Sequence, residues 1–297
     1  MFSGLSAFPL TPMNETGIDE QAFLRLIKRL VESGVDSIGA LGSTGSYVYL
    51  SRAERAYVAR LAIEHAEGVP VMVGIGALRV RDVLDLAEDA QKAGASAVLL
   101  APVSYQKLTD DEVFGLYESV SRSLSVPLCV YDNPSTTHFV FSDELHGRIA
   151  RLPQVRSIKI PGVPEDPLAA KARVERLRAL IPSHVTVGIS GDAFGAAGLN
   201  AGCDVWYSVI GGLFPKTTLA ITRAALDGQG NEAVRLSARL ESLWALFRQY
   251  GSLRVIASAA EIQGLVNPPC LPLPLTTLNG NARRQLAEFL TDGGMDE

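Results

Sequence analysis

The segment VRSIKIPG, residues 155–162, places a lysine inside a short apolar run that stops at Pro161 and Gly162. Such a run reads as a buried strand. The two-residue alternation of strands sets Ile158 and Ile160 on one face and Ser157 and Lys159 on the other. Lysine is almost never buried without a partner or a task. Working outward, runs of the same kind recur at 4–12, 37–45, 71–77, 97–105, 127–134, 185–192 and 204–212, so the chain carries eight. Helical stretches separate them. In 18–34, Phe23, Ile27, Leu30 and Val31 fall at helical spacing, and Gly34 is placed as a stop. The stretch 51–68 opens with Ser51 and, three residues on, Glu54, a capping box.

Strands that alternate with helices imply a parallel sheet with right-handed crossovers. Eight such units predict a (β/α)8 TIM barrel, a fold of ~250 residues. The rival, an open doubly wound sheet, carries a glycine-rich nucleotide fingerprint after its first strand, and FPLTPMNETG (8–17) has none. In a barrel, Ile158 and Ile160 face the helices while Ser157 and Lys159 point to the axis. Three further helical segments follow the eighth strand: TTLAITRAALDG (217–228), NEAVRLSARLESLWALFRQYG (231–251) and NARRQLAEFLTDGG (281–294). The barrel needs one. The expected division is a catalytic barrel over 1–225 and a C-terminal helical extension over 226–297, packed on the barrel or on a neighbouring subunit. NPPCLPLPL (267–275) resembles a polyproline ligand but reads as an ordered connector, since Pro cannot continue a helix.

Composition excludes several classes. With 47% hydrophobic and 20% charged residues and a net charge of -5, the 297-residue chain is globular, without a basic stripe for nucleic acid. The N-terminus lacks a basic start and a long apolar core, so no signal peptide is read, and no apolar run is long enough for a bilayer. Cys129, Cys203 and Cys270 lie far apart, which fits a reducing cytoplasm better than a disulfide framework. His65, His138, His146 and His184 are scattered without ligand spacing, so no metal is expected.

Catalytic groups of such barrels come from the C-terminal ends of the strands and the loops after them. Lys159 is the first candidate: a buried amine without its proton is a nucleophile toward carbonyls. The bland alternative is a structural lysine paired with a barrel carboxylate, but no carboxylate holds an inward position on the neighbouring strands. Tyr131, in PLCVYDNP (127–134), shares the inward face of strand five with Cys129 and sits at the height of Lys159, where a phenol could move protons; a plain core tyrosine is the competing reading. The loop after strand two, LGSTGSYVYL (41–50), has glycines that allow close approach and the hydroxyls of Ser43 and Thr44, suited to a carboxylate or phosphate. It is not a P-loop, since no lysine follows the second glycine.

Together, Gly-Ser-Thr-Gly after strand two, Tyr131 in YDNP and Lys159 in SIKIPG resemble the dihydrodipicolinate synthase / N-acetylneuraminate lyase superfamily of class I pyruvate-dependent aldolases, over the whole chain. The resemblance implies Lys159 as the imine-forming lysine, Tyr131 as the proton-transferring phenol, Ser43 as a relay hydroxyl and Thr44 as the holder of a 2-oxo acid carboxylate. It also implies substrate contacts from Tyr207, through its backbone carbonyl, and from Gly191 and Asp192 in the strand-seven loop. No cofactor beyond the covalent lysine imine is implied. The partners implied are a small 2-oxo acid and an aldehyde, within a homodimer or homotetramer. The chain departs from the family pattern at several points. Ser46 stands where the family has Glu. Ser104 aligns with a relay tyrosine given to the neighbouring subunit, with Tyr105 beside it. Thr136 stands where dihydrodipicolinate synthases carry a carboxylate-binding Arg, which a Thr cannot imitate. Ile160 and Ala193 replace acidic residues. The resemblance therefore points to a Schiff-base aldolase or lyase whose second substrate differs. An authentic 4-hydroxy-tetrahydrodipicolinate synthase, a 2-keto-3-deoxy sugar acid dehydratase or aldolase, and an inactive 2-oxo acid binder are the alternatives.

Overall fold

The computed structural model describes residues 1–292 and 295. Eight parallel strands close into a barrel: β1 (Gly4–Ala7), β2 (Ser37–Ala40), β3 (Val71–Gly74), β4 (Ala97–Leu100), β5 (Leu128–Tyr131), β6 (Val155–Ile160), β7 (Thr186–Ile189) and β8 (Val205–Ser208). Each pairs with its sequence neighbours, and β1 pairs with both β2 and β8 to close the ring. The strands are shorter than the apolar runs that announce them. β1, for example, covers 4–7 of the run 4–12. The remainder of each run forms loop at the C-terminal mouth, where residues such as Phe8, Ala101 and Val103 stay apolar because they pack into the barrel end.

Alternation divides the strand side chains into two cores. Leu5, Ile38, Val73, Val130, Ile158 and Trp206 face outward beneath the helices. Met72, Leu99, Cys129, Tyr131, Val205 and Tyr207 fill the interior together with Phe8. The two faces of β6 fall as the alternation requires. The interior is a fit of large against absent side chains. Gly39 leaves room for the Phe8 ring, whose Cζ would lie 2.5 Å from a Cβ there. Gly188 does the same for Tyr207 and Val205. At the opposite end, Asp36 closes the ring: it accepts from the Leu5 N–H at 2.7 Å and takes a bidentate fork from Arg223 at 2.8 and 3.0 Å.

The helix signals are used as written. The helix Glu20–Ser33 ends on Gly34 in the left-handed conformation (φ 72°). Arg52–Glu64 begins with both bonds of the Ser51–Glu54 capping box. The eighth barrel helix is Pro215–Leu226. Beyond it the single stretch expected at 231–251 is two helices, Gly230–Ala238 and Glu241–Tyr250, broken where Leu240 is buried. A further helix, Ser252–Ile262, escapes the periodicity reading because its run Val255–Ala260 is buried all round. The connector 267–275 is ordered: Met13 N–H donates to the Cys270 carbonyl at 3.2 Å and Leu273 N–H to Glu15 at 3.2 Å. The last described helix is Gly280–Thr291, shorter than the stretch 281–294; residues 293 and 294 lie outside the described set. No described helix is long and apolar enough to cross a membrane.

A methyl at Gly188 has nowhere to go in this packing. Gly188→Ala is expected to lower the free energy of unfolding by about 1–3 kcal/mol in urea titrations. An unchanged midpoint would mean that Tyr207 does not pack against this strand.

Candidate active site

A cavity of about 1020 Å³ opens at the C-terminal mouth of the barrel. Among its lining residues are Ser43, Thr44, Tyr131, Thr136, Lys159, Gly191, Asp192 and Tyr207, so eight of the ten sequence-derived candidates meet in one place.

Lys159 comes from the inner face of β6 and is 5% exposed. Its Nζ is surrounded by rings: it lies 4.0 Å from the Phe8 centroid, 4.4 Å from Tyr131 and 5.6 Å from Tyr207. Among the described residues no carboxylate comes within ion-pair distance, which leaves the structural-lysine reading without its partner. Strand register sets the neighbour: Tyr131 of β5 lies directly beside Lys159. Asn133 Nδ2 donates to the Tyr131 hydroxyl at 3.0 Å, and Ser43 Oγ lies 3.1 Å from the same oxygen. With Asn133 as donor, the single Tyr131 proton is directed to Ser43. A phenol, a serine and a lysine amine thus meet at the mouth, positioned by three different strand ends.

The loop after β2 turns through hydrogen bonds from Gly45 N–H to the Gly42 carbonyl (2.9 Å) and from Ser46 N–H to the Ser43 carbonyl (3.1 Å). Thr44 is 4% exposed and lines the cavity, and neither its N–H nor its hydroxyl has a partner among the described residues. Two free donors at the mouth can hold a carboxylate.

Asp192, buried beside the cavity, is already saturated. Trp206 Nε1 (3.1 Å), Ser208 Oγ (2.8 Å) and Val209 N–H (3.1 Å) donate to one oxygen, and Ile210 N–H donates to the other at 3.0 Å. Burial pushes its carboxyl up to about 6, while these donors and the charge of Lys159 oppose the shift. Asp192 therefore ties the β7 loop to the end of β8 and offers a ligand little. Gly191 holds φ 74° beside the Pro161 carbonyl, a conformation glycine adopts freely. The Tyr207 ring faces the cavity, but its hydroxyl points to the barrel floor, 2.6 Å from Ser157 Oγ and 3.5 Å from Cys129 Sγ. Burial pushes the Cys129 thiol up to about 11, so at neutral pH it is packing rather than a nucleophile. Thr136 is exposed on the short helix Pro134–Thr137 and brings a hydroxyl, not a cation, to the wall.

Ser104 and Tyr105 do not reach the cavity of their own chain. The Ser104 hydroxyl donates to the Gln106 carbonyl at 2.5 Å, and Tyr105 is 91% exposed. His138 ends the short helix and stays outside the cavity as well. His146 is buried against Phe141, 3.3 Å from Asp132, far from a ligand set. Among the described residues, no three His, Cys, Asp or Glu side chains are grouped to hold a metal ion.

Sequence reasoning missed Phe8, Asn133 and Tyr47. Phe8 is in phase with Ser6 on the first strand, a signal that alternation offers once the barrel is assumed. Asn133 sits two residues past Tyr131, where only the three-dimensional turn brings its amide back. The outer wall was missed as well: Trp244, Phe247, Leu253 and Arg254 come from the C-terminal helices.

The chain matches the model of the dihydrodipicolinate synthetase family over residues 1–292. Named relatives include 4-hydroxy-tetrahydrodipicolinate synthase of Persephonella marina, 28% identical over 99% of both chains, and that of Hyphomonas neptunium, 30% identical over the full length of both. Among solved structures, dihydrodipicolinate synthase from Agrobacterium tumefaciens superposes with a TM-score of 0.94 at 44% identity, covering 98% of this chain and 97% of its own. Chloride-inhibited dihydrodipicolinate synthase from Acinetobacter baumannii, complexed with pyruvate, superposes at 0.89 with 26% identity over the whole of both chains.

The Asp192 environment has a pH signature. Its folded value near 6 lies above the ordinary aspartate, so the native state keeps this proton longer than the unfolded chain does. The linked stability is fully present below about pH 4 and is lost as pH rises through about 6. The stability difference between the parent and Asp192→Asn should fall across that window and then level off, as followed by urea titrations at successive pH values. A difference that rises with pH instead would show that the donors outweigh burial.

Proposed function

The chain belongs to the dihydrodipicolinate synthetase family, and from that premise we propose that it is a class I aldolase or lyase acting on pyruvate or another 2-oxo acid through an imine of Lys159. The observation that carries this reading is the amine itself: it is buried, ringed by Phe8, Tyr131 and Tyr207, and faces a cavity without a carboxylate partner. The pyruvate complex of the Acinetobacter relative supports the choice of 2-oxo acid.

In this mechanism the Lys159 amine attacks C2 of the 2-oxo acid, whose carboxylate rests on the Thr44 N–H and hydroxyl. The carbinolamine loses water to give an iminium, with Tyr131 giving and taking protons and Ser43 passing them on. Loss of a C3 proton, or cleavage of the C3–C4 bond, sends an electron pair to the iminium nitrogen and gives an enamine. The enamine then attacks an aldehyde carbonyl or picks up a proton. Every charge in the sequence forms between rings and neutral donors, where electrostatic interactions are strong. No metal or further cofactor enters the proposal.

Relatives named 4-hydroxy-tetrahydrodipicolinate synthase favour a second reading, in which the aldehyde carries its own carboxylate. Thr136 argues against it, because the wall at this position holds no guanidinium. We therefore propose an aldehyde or sugar acid partner recognised differently. The division into a catalytic barrel over 1–225 and an extension over 226–297 is proposed on the same footing, since the eighth barrel helix ends at Leu226. The exposed apolar residues Val48, Tyr49 and Tyr105 near the mouth support a homodimer or homotetramer, and a cytoplasmic setting is proposed for it from the three free cysteines.

Borohydride added with pyruvate is expected to leave a permanent adduct on Lys159, read by mass spectrometry, and Lys159→Ala should leave none. Absence of an adduct with any 2-oxo acid sinks the imine reading. With pyruvate and aspartate semialdehyde, Thr136→Arg should lower the KM for the aldehyde by about tenfold or more, the value of one charge-assisted contact. An unchanged KM would mean that the missing arginine is not what limits this substrate.

A further inference from the structure

The cavity wall carries two phenols that are held in different ways. The Tyr131 hydroxyl is engaged on both sides, by Ser43 and Asn133. Tyr47, on the turn Tyr47–Tyr49 after β2, is 5% exposed and lines the same cavity, yet its hydroxyl has no hydrogen-bond partner among the described residues. A buried tyrosine usually finds one. The ring is fixed from behind by Arg55, whose guanidinium lies 4.9 Å from its centroid and donates to the Gly74 and Gly76 carbonyls at 2.9 Å each. Arg55 is itself 6% exposed, and among the described residues no carboxylate comes within ion-pair distance of it. A buried cation without a counter-charge is costly. Among the described residues, the neighbour that can take up negative charge beside Arg55 is the Tyr47 phenol. In front, a methyl at Gly76 would come 2.9 Å from the Tyr47 hydroxyl oxygen.

The order of strands says what this hydroxyl can reach. A 2-oxo acid joined to Lys159 on β6, with its carboxylate on the loop after β2, lies across the mouth, and its C3 faces one of two arcs. The arc through β7, β8 and β1 presents Gly188, Tyr207 and Phe8. The polar side chains that line the cavity on that side are occupied: Asp192 is saturated, and Ser190 Oγ donates to the Ile160 carbonyl at 2.9 Å. The arc through β3, β4 and β5 presents Val103, Tyr131 and the unengaged hydroxyl of Tyr47.

We infer that Tyr47 is a second catalytic phenol, supplied by the same chain, that exchanges the proton at C3 of the lysine-bound 2-oxo acid; the inference rests on the imine reading. In the protonation direction, the Tyr47 O–H bond breaks as the electron pair of the enamine C2=C3 bond forms the new C3–H bond and the iminium is restored. The phenolate left behind lies against Arg55 and recovers its proton from water. The reverse steps remove a C3 proton, with the electron pair passing to the iminium nitrogen. Burial, reinforced by nearby Tyr131 and opposed by Arg55, holds the Tyr47 phenol well above its ordinary value, so it rests protonated. It therefore enters the cycle as the acid.

Pyruvate alone, in deuterium oxide, tests this. Loss of the pyruvate methyl signal by proton NMR reports C3 exchange, and the borohydride adduct on Lys159 reports the imine. Tyr47→Phe, which removes one oxygen atom, is expected to slow exchange by about 100-fold while the adduct still forms and the unfolding temperature holds. Gly76→Ala, which displaces the hydroxyl without removing it, should slow exchange by about tenfold or more. Exchange within about threefold of the parent in Tyr47→Phe overturns the assignment. So does loss of the adduct together with exchange, which would place Tyr47 in building the imine rather than in handling C3. A parent chain that forms no adduct fails the imine reading itself, and this inference falls with it.

Discussion

Closing eight strands leaves an interior that side chains have to fill, and at the mouth the plug is Phe8. Its ring occupies the space left by Gly39 and Gly42, meets Tyr207 edge-on with centroids 6.1 Å apart, and forms the floor on which Lys159 rests. Much of the site follows from that contact. A lysine over an aromatic face is attracted by ~0.5–2 kcal/mol without a carboxylate. An ion-paired lysine would have to give up its partner before reacting; one held by rings does not. The glycines of β2 and β7 are the sequence cost of this arrangement, since two large rings fit within the barrel only where the neighbouring strands have no side chain.

The charges around the cavity are distributed with the same economy. Lys159 and Arg55 are buried basic side chains without carboxylate partners among the described residues, and the buried carboxylate that lines the cavity, Asp192, is wholly engaged by Trp206, Ser208 and two backbone N–H groups. The cavity is therefore left short of negative charge. An anionic ligand supplies what the protein omits, and its attraction is felt at low dielectric rather than in bulk water. The donors on Thr44 give that attraction a direction.

The fold was legible because its signals are local: alternation within strands, repeated eight times, the Ser51–Glu54 capping box, and a glycine stop after the first helix. Lys159 and Tyr131 were legible for the same reason, since strand phase decides which side chains face the axis. Tyr207 shows the limit of that reasoning. Phase places its ring inside the barrel, but the rotamer that sends its hydroxyl to Ser157 on the floor depends on Gly188 and Cys129, which are distant in sequence. The helix Ser252–Ile262 was missed because burial on every side erases the period by which helices are recognised.

The outer wall of the cavity is built from a different stretch of chain. Lys159, Tyr131, Ser43 and Thr44 belong to the barrel strands and their loops, whereas Trp244, Phe247, Leu253 and Arg254 descend from helices that follow the last strand. The helix Glu241–Tyr250 packs on the helices Ser252–Ile262 and Gly280–Thr291 and on the Asp192–Phe194 turn, so it meets the barrel chiefly at a loop. Bond-making and the recognition of whatever approaches the bound acid are thereby encoded in separable segments. Drift in the late helices can redraw the entrance while the strands that aim the amine stay untouched. Within one such lineage, substrate preference can then diverge faster than chemistry.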